Sequence, residues 1–336
     1  MRKILLKFFL YSTLCVIVLL AIVFLIVYQE FGPVDHEKLI SQKIRQKDLV
    51  ADFFYPKNTK GLPLIIAVGG SGGGFLPEKE IQSLALNGYA VLSVAYFNVD
   101  GLPKKLENIP LEYFTSAITW AREHSVVDSS KIVALGVSRG AELALLLASL
   151  NPQIKGVVAY APGCFILPNA VDTEDSIVTH SSWTWRKKPL PFAPLRVLQD
   201  DNQKIIVYRR YIEPLLKDHE RNIYTINIEN AKCPILMLSG GDDQTWPSAE
   251  MSKVLERRLT SRQYPYSIRN VTFPNAGHWL VQFQNNYQII SSTFRVVTLN
   301  LKGKQYQFNN GGSAWATMMA RRKTRTETLK FLEQFK

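Results

Sequence analysis

Hydrophobic and polar positions along this chain fall into a repeating rhythm from about residue 60 onward: short apolar runs, several ending in glycine, alternate with stretches at helical spacing. The runs at 62–68, 90–95, 132–135, 157–160 and 234–238 are nearly continuous, as expected of strands buried on both faces, and 266–273 alternates as a further strand. Residues 81–87 read as a helix, as do 111–124, where Leu111, Phe114, Ile118 and Ala121 share one face. Repetition of strand, helix, strand predicts an α/β fold with a mostly parallel, doubly wound sheet. Ahead of it, 37–56 alternates loosely, with Leu49, Ala51 and Phe53 on one side, and predicts an antiparallel entry hairpin. The rhythm stops at 161–229, which is irregular, rich in Pro, Asp and Arg, and holds Trp183 and Trp185. An insertion of that length after a sheet strand is expected to form a lid, with the two tryptophans facing substrate. Pro247 is placed to open a helix. Residues 281–310 show no clear pattern, and 313–335 read as a basic amphipathic helix whose Arg321, Arg322, Lys323 and Arg325 are expected on a solvated face.

The amino-terminal pattern differs. Residues 8–27 run without a charge, a length that matches a bilayer's hydrocarbon core. Arg2, Lys3 and Lys7 precede it, and Glu30, Asp35 and Glu37 follow. The positive-inside bias then predicts one transmembrane helix at about 8–27, a cytoplasmic amino terminus and an extracytoplasmic remainder. A cleaved signal peptide is the alternative, but the apolar run exceeds the usual 7–15 residues and no small-x-small site follows. The resulting division is a membrane anchor at 1–30, a linker and entry hairpin at 31–60, and a catalytic domain at 61–336.

Chemistry concentrates where the apolar run at 132–135 breaks into Gly136-Val137-Ser138-Arg139-Gly140 before an Ala/Leu helix. G-x-S-x-G between strand and helix is a nucleophile elbow: small flanking residues permit a tight turn that lifts the Ser138 hydroxyl above the sheet. The run at 62–68 leads into Gly69-Gly70-Ser71-Gly72-Gly73-Gly74. A dinucleotide fingerprint fails there, since Phe75 holds the third glycine position, and no Gly-Lys-Ser/Thr follows for a phosphate loop. A glycine loop on the strand before an elbow suits an oxyanion hole, with backbone N–H groups near Gly70 and Ser71 joined by that of Arg139. A serine hydroxyl needs a base and a group that orients the base. The α/β-hydrolase order is Ser, acid, His, and of five histidines only His278 follows the acids that end the next strand. Asp243 lies three residues after Gly240, a common turn spacing for the acid, and is preferred over Asp242. His36, His124, His180 and His219 are assigned to surface or core.

Composition narrows the partners. The formal net charge is +12, yet Lys and Arg are scattered and no nucleic-acid-reading motif accompanies them, so nucleic acid is not expected. Cys15, Cys164 and Cys233 form no C-x-x-C pair, and neither a metal site nor a cofactor is expected.

Several stretches resemble the carboxy-terminal domain shared by acyl-CoA thioesterases and the bile acid-CoA:amino acid N-acyltransferases, within the dienelactone-hydrolase-like α/β hydrolases. They are Gly69-Gly70-Ser71-Gly72-Gly73, Ala95-Tyr96-Phe97-Asn98, Leu102-Pro103, Leu111-Glu112-Tyr113-Phe114 and Gly136-Val137-Ser138-Arg139-Gly140-Ala141-Glu142. Ser181-Ser182-Trp183-Thr184-Trp185, Gly240-Gly241-Asp242-Asp243-Gln244-Thr245-Trp246-Pro247-Ser248 and Gly277-His278 continue the match. The resemblance implies an α/β-hydrolase fold, a triad of Ser138, Asp243 and His278, and acyl transfer from a thioester. Mammalian members place an immunoglobulin-like domain ahead of this one, where this chain reads as anchor and hairpin. The conjugating members look as though they use cysteine as nucleophile, so Ser138 favours hydrolysis. The expectation is a membrane-anchored serine hydrolase of an acyl thioester or carboxylic ester. The alternatives are transfer to an amine or alcohol, and a membrane-tethered binding protein without turnover.

Overall fold

The computed structural model describes residues 2–31, 35–168, 180–195, 205–206, 209–218, 223–281, 295–301 and 304–336. The expected lid therefore lies partly, and His219 wholly, outside the described residues. The chain divides into two units, Met1–Asp35 and His36–Lys336.

The first unit is a helix, α1 (Arg2–Phe31). Its helical character agrees with the sequence, but the expected membrane span and the extracytoplasmic location do not stand. No helix among the described residues is long and apolar enough to cross a membrane. Residues 8–22 of α1 form an uncharged, exposed run. Within it Ser12 and Thr13 turn their hydroxyls back onto the Phe9 carbonyl.

The main sheet of the second unit has, among the described residues, eight strands: β1 (Leu39–Gln46), β2 (Leu49–Pro56), β3 (Leu62–Val68), β4 (Ala90–Ala95), β5 (Val127–Val137), β6 (Ile154–Tyr160), β7 (Ile235–Gly240) and β8 (Ile268–Phe273). Their order across the sheet is β1-β2-β4-β3-β5-β6-β7-β8. The first two form the entry hairpin; β2 meets β4 antiparallel, and every later pairing is parallel. Among the described residues, five helices cover the sheet: α2 (Glu78–Leu86), α3 (Glu112–Glu123), α4 (Arg139–Leu150), α5 (Ser248–Ser261) and α6 (Ala314–Leu332).

The two faces of β3 show how the pattern becomes a core. Leu64, Ile66 and Val68 pack with Phe114, Ile118, Leu143 and Met251 on the face covered by α3, α4 and α5. Ile65 and Ala67 pack with Ile81, Leu84, Ala320 and Leu332 on the face covered by α2 and α6. Alternate residues of one strand thus enter two separate cores, so no position is left polar and the run reads as continuous.

Two elements depart from expectation. Part of 281–310 forms an antiparallel hairpin, Val296–Leu301 with Lys304–Asn309. In α6, Arg321 is only 2 % exposed and donates from Nε to the Trp279 carbonyl, so it is not on a solvated face. The helix runs against the loop that carries Trp279, and the long aliphatic stem lets Arg321 reach a buried carbonyl.

Candidate active site

Ser138 sits between β5 and α4 with φ 57° and ψ −121°. This is strained backbone for a residue with a Cβ, and the surroundings hold it there. A methyl on Gly136 would collide with the Gly140 carbonyl, and one on Gly140 with the carbonyls of Gly69 and Val68. The turn is therefore possible only with glycine at both positions, which is the physical content of G-x-S-x-G.

His278 follows β8 on a loop and brings Nε2 to 2.9 Å from Ser138 Oγ. Its Nδ1 stands 2.8 Å from Asp243 Oδ2, on the loop after β7. All three side chains are buried. Asp243 is held by its remaining lone pairs: Oδ2 accepts from the Ser248 hydroxyl at 2.7 Å, and Oδ1 from the backbone N–H groups of Thr245 and Trp246. Trp246 also stacks edge-on against His278 with centroids 5.5 Å apart. Its indole N–H is bound to the Ala161 carbonyl. Asp242 faces elsewhere, accepting from Gln244, Arg295 and the Gly312 N–H. Of the two neighbouring acids, only Asp243 reaches the imidazole.

A third segment, absent from the sequence reading, braces the histidine loop. The His278 N–H donates to the Asn310 carbonyl, the Gly277 N–H to Thr317 Oγ1, and Gly311 forms a bridge with Asp243. Gly311 and Gly312 both have positive φ, near 72°. The Gly-Gly pair at 311–312 was the available signal, since paired glycines mark a backbone close to another backbone.

Gly70 lies in the loop after β3, close to the elbow: a methyl there would stand 3.2 Å from Ser138 Cβ and 3.7 Å from its Oγ. Asn98 Nδ2 donates to the Gly72 carbonyl and Tyr96 to the Gly69 carbonyl, which fixes the loop's path. Ser71 is exposed at its tip. Arg139 opens α4, so its N–H belongs to the first turn and has no carbonyl four residues back within the helix.

Trp183 is fully buried and donates its indole N–H to Glu142 Oε1 at 2.7 Å, so its ring is packing rather than a substrate surface. Trp185 is half-buried. It starts a tight hairpin turn through Arg186 and Lys187, at φ 51° and 63°. A cavity of about 480 Å³ lies beside this turn, lined by Pro110, Glu112, Thr184, Arg186 and Lys187. Glu112 is spent in part on the Arg186 N–H at 2.6 Å.

Comparison with known proteins places this arrangement. The mouse acyl-coenzyme A thioesterase 1 is 28% identical over 239 residues, covering 70% of this chain and 53% of that protein. The mouse acyl-coenzyme A thioesterase 2, mitochondrial, is 29% identical over 239 residues, 70% of this chain and 49% of that protein. The chain thus spans about half the length of the curated relatives it matches. Among solved structures, a dienelactone hydrolase-like promiscuous phosphotriesterase from metagenomic libraries superposes with a TM-score of 0.53 at 13% identity, covering 89% of this chain and 99% of that one. A dienelactone hydrolase from Klebsiella pneumoniae gives 0.53 at 16% identity, with 88% and 99% covered. At such identities the likeness is of fold, and the fold is that of the α/β hydrolases. The model of the BAAT / acyl-CoA thioester hydrolase C-terminal family matches residues 109–335, and the chain belongs to that family.

Proposed function

We propose that the protein hydrolyses an acyl thioester through an acyl-Ser138 intermediate. The observation that carries this reading is the unbroken relay from Ser138 Oγ to His278 at 2.9 Å and from His278 to Asp243 at 2.8 Å. His278 Nε2 accepts the hydroxyl proton while Oγ bonds to the thioester carbonyl carbon. Asp243 accepts from Nδ1–H, fixing the tautomer and stabilising the imidazolium. The tetrahedral oxyanion is met by the N–H groups of Arg139 and of the Gly70–Ser71 loop. The carbon–sulfur bond then breaks, and His278 returns its proton to the thiolate. Water, deprotonated by the same nitrogen, attacks the acyl-Ser138 carbonyl, and His278 then returns that proton to Ser138 Oγ as the acyl–oxygen bond breaks and the free acid leaves.

The thioester reading is supported by the family match over residues 109–335, whereas the cavity beside Arg186 and Lys187 is lined by none of the three triad residues. A carboxylic ester would pass through the same steps, so the substrate panel must contain both. Purified protein should be labelled at Ser138 by a fluorophosphonate and should release free thiol from acyl-CoA faster than alcohol from matched aryl esters. Added glycine should leave free acid as the main product. Absence of labelling and of turnover on every thioester would overturn the proposal, and diversion to the amide would turn it into acyl transfer.

A further inference from the structure

The strongest feature that this reading leaves unused lies directly behind the nucleophile. Arg139 and Glu142 are one turn apart in α4, both buried, and pair at 2.7 Å between Nη1 and Oε2. Neither is closed on the other alone. Arg139 Nη2 donates to the carbonyls of Leu167 at 3.0 Å and Pro168 at 3.2 Å, and to Ser182 Oγ. Glu142 Oε1 accepts from the Trp183 indole at 2.7 Å and from the Leu167 N–H at 3.2 Å. One ion pair thus joins three pieces of chain: the elbow helix, the segment around Leu167 beyond β6, and the strand that starts at Trp183. Burying two charges costs several kcal/mol in general, and pairing returns that only with well-made hydrogen bonds. An apolar pair would pack there at no such cost, so stability does not account for the pair's place one residue beyond Ser138.

Backbone strain gives the reason. Ser138 is held at φ 57°, and the residue that follows it supplies the N–H proposed to meet the oxyanion. A donor displaced by an ångström loses much of its effect on a transition state. The Arg139 guanidinium, tethered to two carbonyls and a hydroxyl outside α4 and held by the Glu142 carboxylate along the helix, fixes the rotation of the first turn of α4. We infer that the Arg139–Glu142 pair is a positioning device for the elbow, which clamps the first turn of α4 to the Leu167 and Trp183 segments and so aims the Arg139 N–H. The inference rests on the proposed nucleophile. Glu142 touches no substrate in it and is a positioning residue.

The groups facing Glu142 make its charge state readable. Besides Arg139 these are Tyr96, Cys164 and the Trp183 indole; burial pushes Tyr96 and Cys164 up and keeps both neutral. Burial also raises Glu142 itself, to about 7, against the pull of Arg139. The carboxylate, and with it the clamp, is thus titrated away as pH falls toward and through that value.

The test is Glu142→Gln in the full chain. Glutamine keeps one acceptor oxygen, which can serve Trp183 and Leu167, but then its NH₂ meets the Arg139 guanidinium, donor against donor. At pH 8 the variant should turn over acyl-CoA roughly ten- to a hundredfold more slowly, with KM within about threefold, and its fluorophosphonate labelling should slow in the same ratio. The ratio of wild-type to variant kcat should contract toward one as pH falls below 7, because the wild type then loses the same charge. A merely structural contact would not follow that profile. Equal labelling rates in wild type and variant would overturn the inference, as would a defect confined to KM or one independent of pH. Should Glu142→Gln fail to fold, Trp183→Phe removes the indole N–H and keeps a smaller aromatic ring in its place; unchanged kcat there overturns the clamp, and a lower kcat at constant KM supports it. Failure of the proposed function would look different: Ser138→Ala would retain turnover, whatever Glu142 does.

Discussion

The two halves of the candidate site are held by different means. The nucleophile side is a turn fixed by backbone collisions: with a Cβ at neither 136 nor 140, the chain passes within contact of Gly69 and Val68 and carries Ser138 at positive φ. The acid and base side is a pair of loops after β7 and β8, with Asp243 held by Ser248, Thr245 and Trp246, His278 by the Asn310 carbonyl, and the neighbouring Gly277 by Thr317. The comparison teaches that a reactive group can be imposed by excluded volume, within its own turn and against a neighbouring strand, while its partners are joined to it and to each other by hydrogen bonds that cross 140 and 35 residues of sequence.

The sharpest way to break the comparison is to remove one member from each side. Ser138→Ala should lower kcat by about 10⁶ while leaving the fold intact, because only oxyanion and binding effects remain. Single-turnover assays with circular dichroism on the same sample check both parts. Asp243→Asn should cost about 10⁴, through loss of the correct imidazole tautomer. Asp242→Asn should cost less than about tenfold, since its ion pair with Arg295 is exposed and no atom of it reaches His278. A reversal of the two aspartates would move the orienting role to Asp242.

Next comes the volume argument. Gly140→Ala places a methyl against two backbone carbonyls that have no room to yield. Overpacking of this kind costs about 1–3 kcal/mol, and the denaturant midpoint should fall together with activity. An unshifted midpoint would mean that the elbow tolerates side chains and that the glycine motif is not a volume constraint.

The smallest effect is on stability against pH. Glu142 has its folded value raised to about 7 from an ordinary 4.5, with burial as the larger cause and the Arg139 charge opposing it. A group raised on folding contributes stability that is fully present below its unfolded value and is lost as pH rises through its folded value. Wild type should therefore lose stability relative to Glu142→Gln between about pH 4.5 and 7, and the gap should be constant outside that window. Thermal melts of both proteins across pH 4 to 8 measure it; a gap of the opposite sign would show that Arg139 outweighs burial.

The element pattern was legible for the strands because a buried parallel strand must be apolar on both faces, and β3 needs no neighbour to reveal itself. The elbow was legible because its motif is contiguous and Gly136 meets the Gly140 carbonyl within it, although Gly140 itself is held against Val68 and Gly69. His278 could be named because the chain has few histidines after the second acid. The buried partners were not legible. Trp183 looks like a lid residue and Arg321 like one of a solvated run, because a pairing partner more than 40 residues away leaves no trace in local periodicity.

What the sequence determined by itself was the strand-turn-helix at Ser138, the parallel α/β order and the chain order of serine, acid and histidine. These follow from side-chain volume and apolar spacing over a few residues. Only the tertiary structure decided which of two adjacent aspartates meets the imidazole, which glycine pair braces the histidine loop, and that Arg139 and Glu142 are buried together behind the nucleophile. Those outcomes depend on how loops from separate strands meet above the sheet. A hydrogen bond between distant segments is selected by distance and direction in space, and neither exists until the strands are in register.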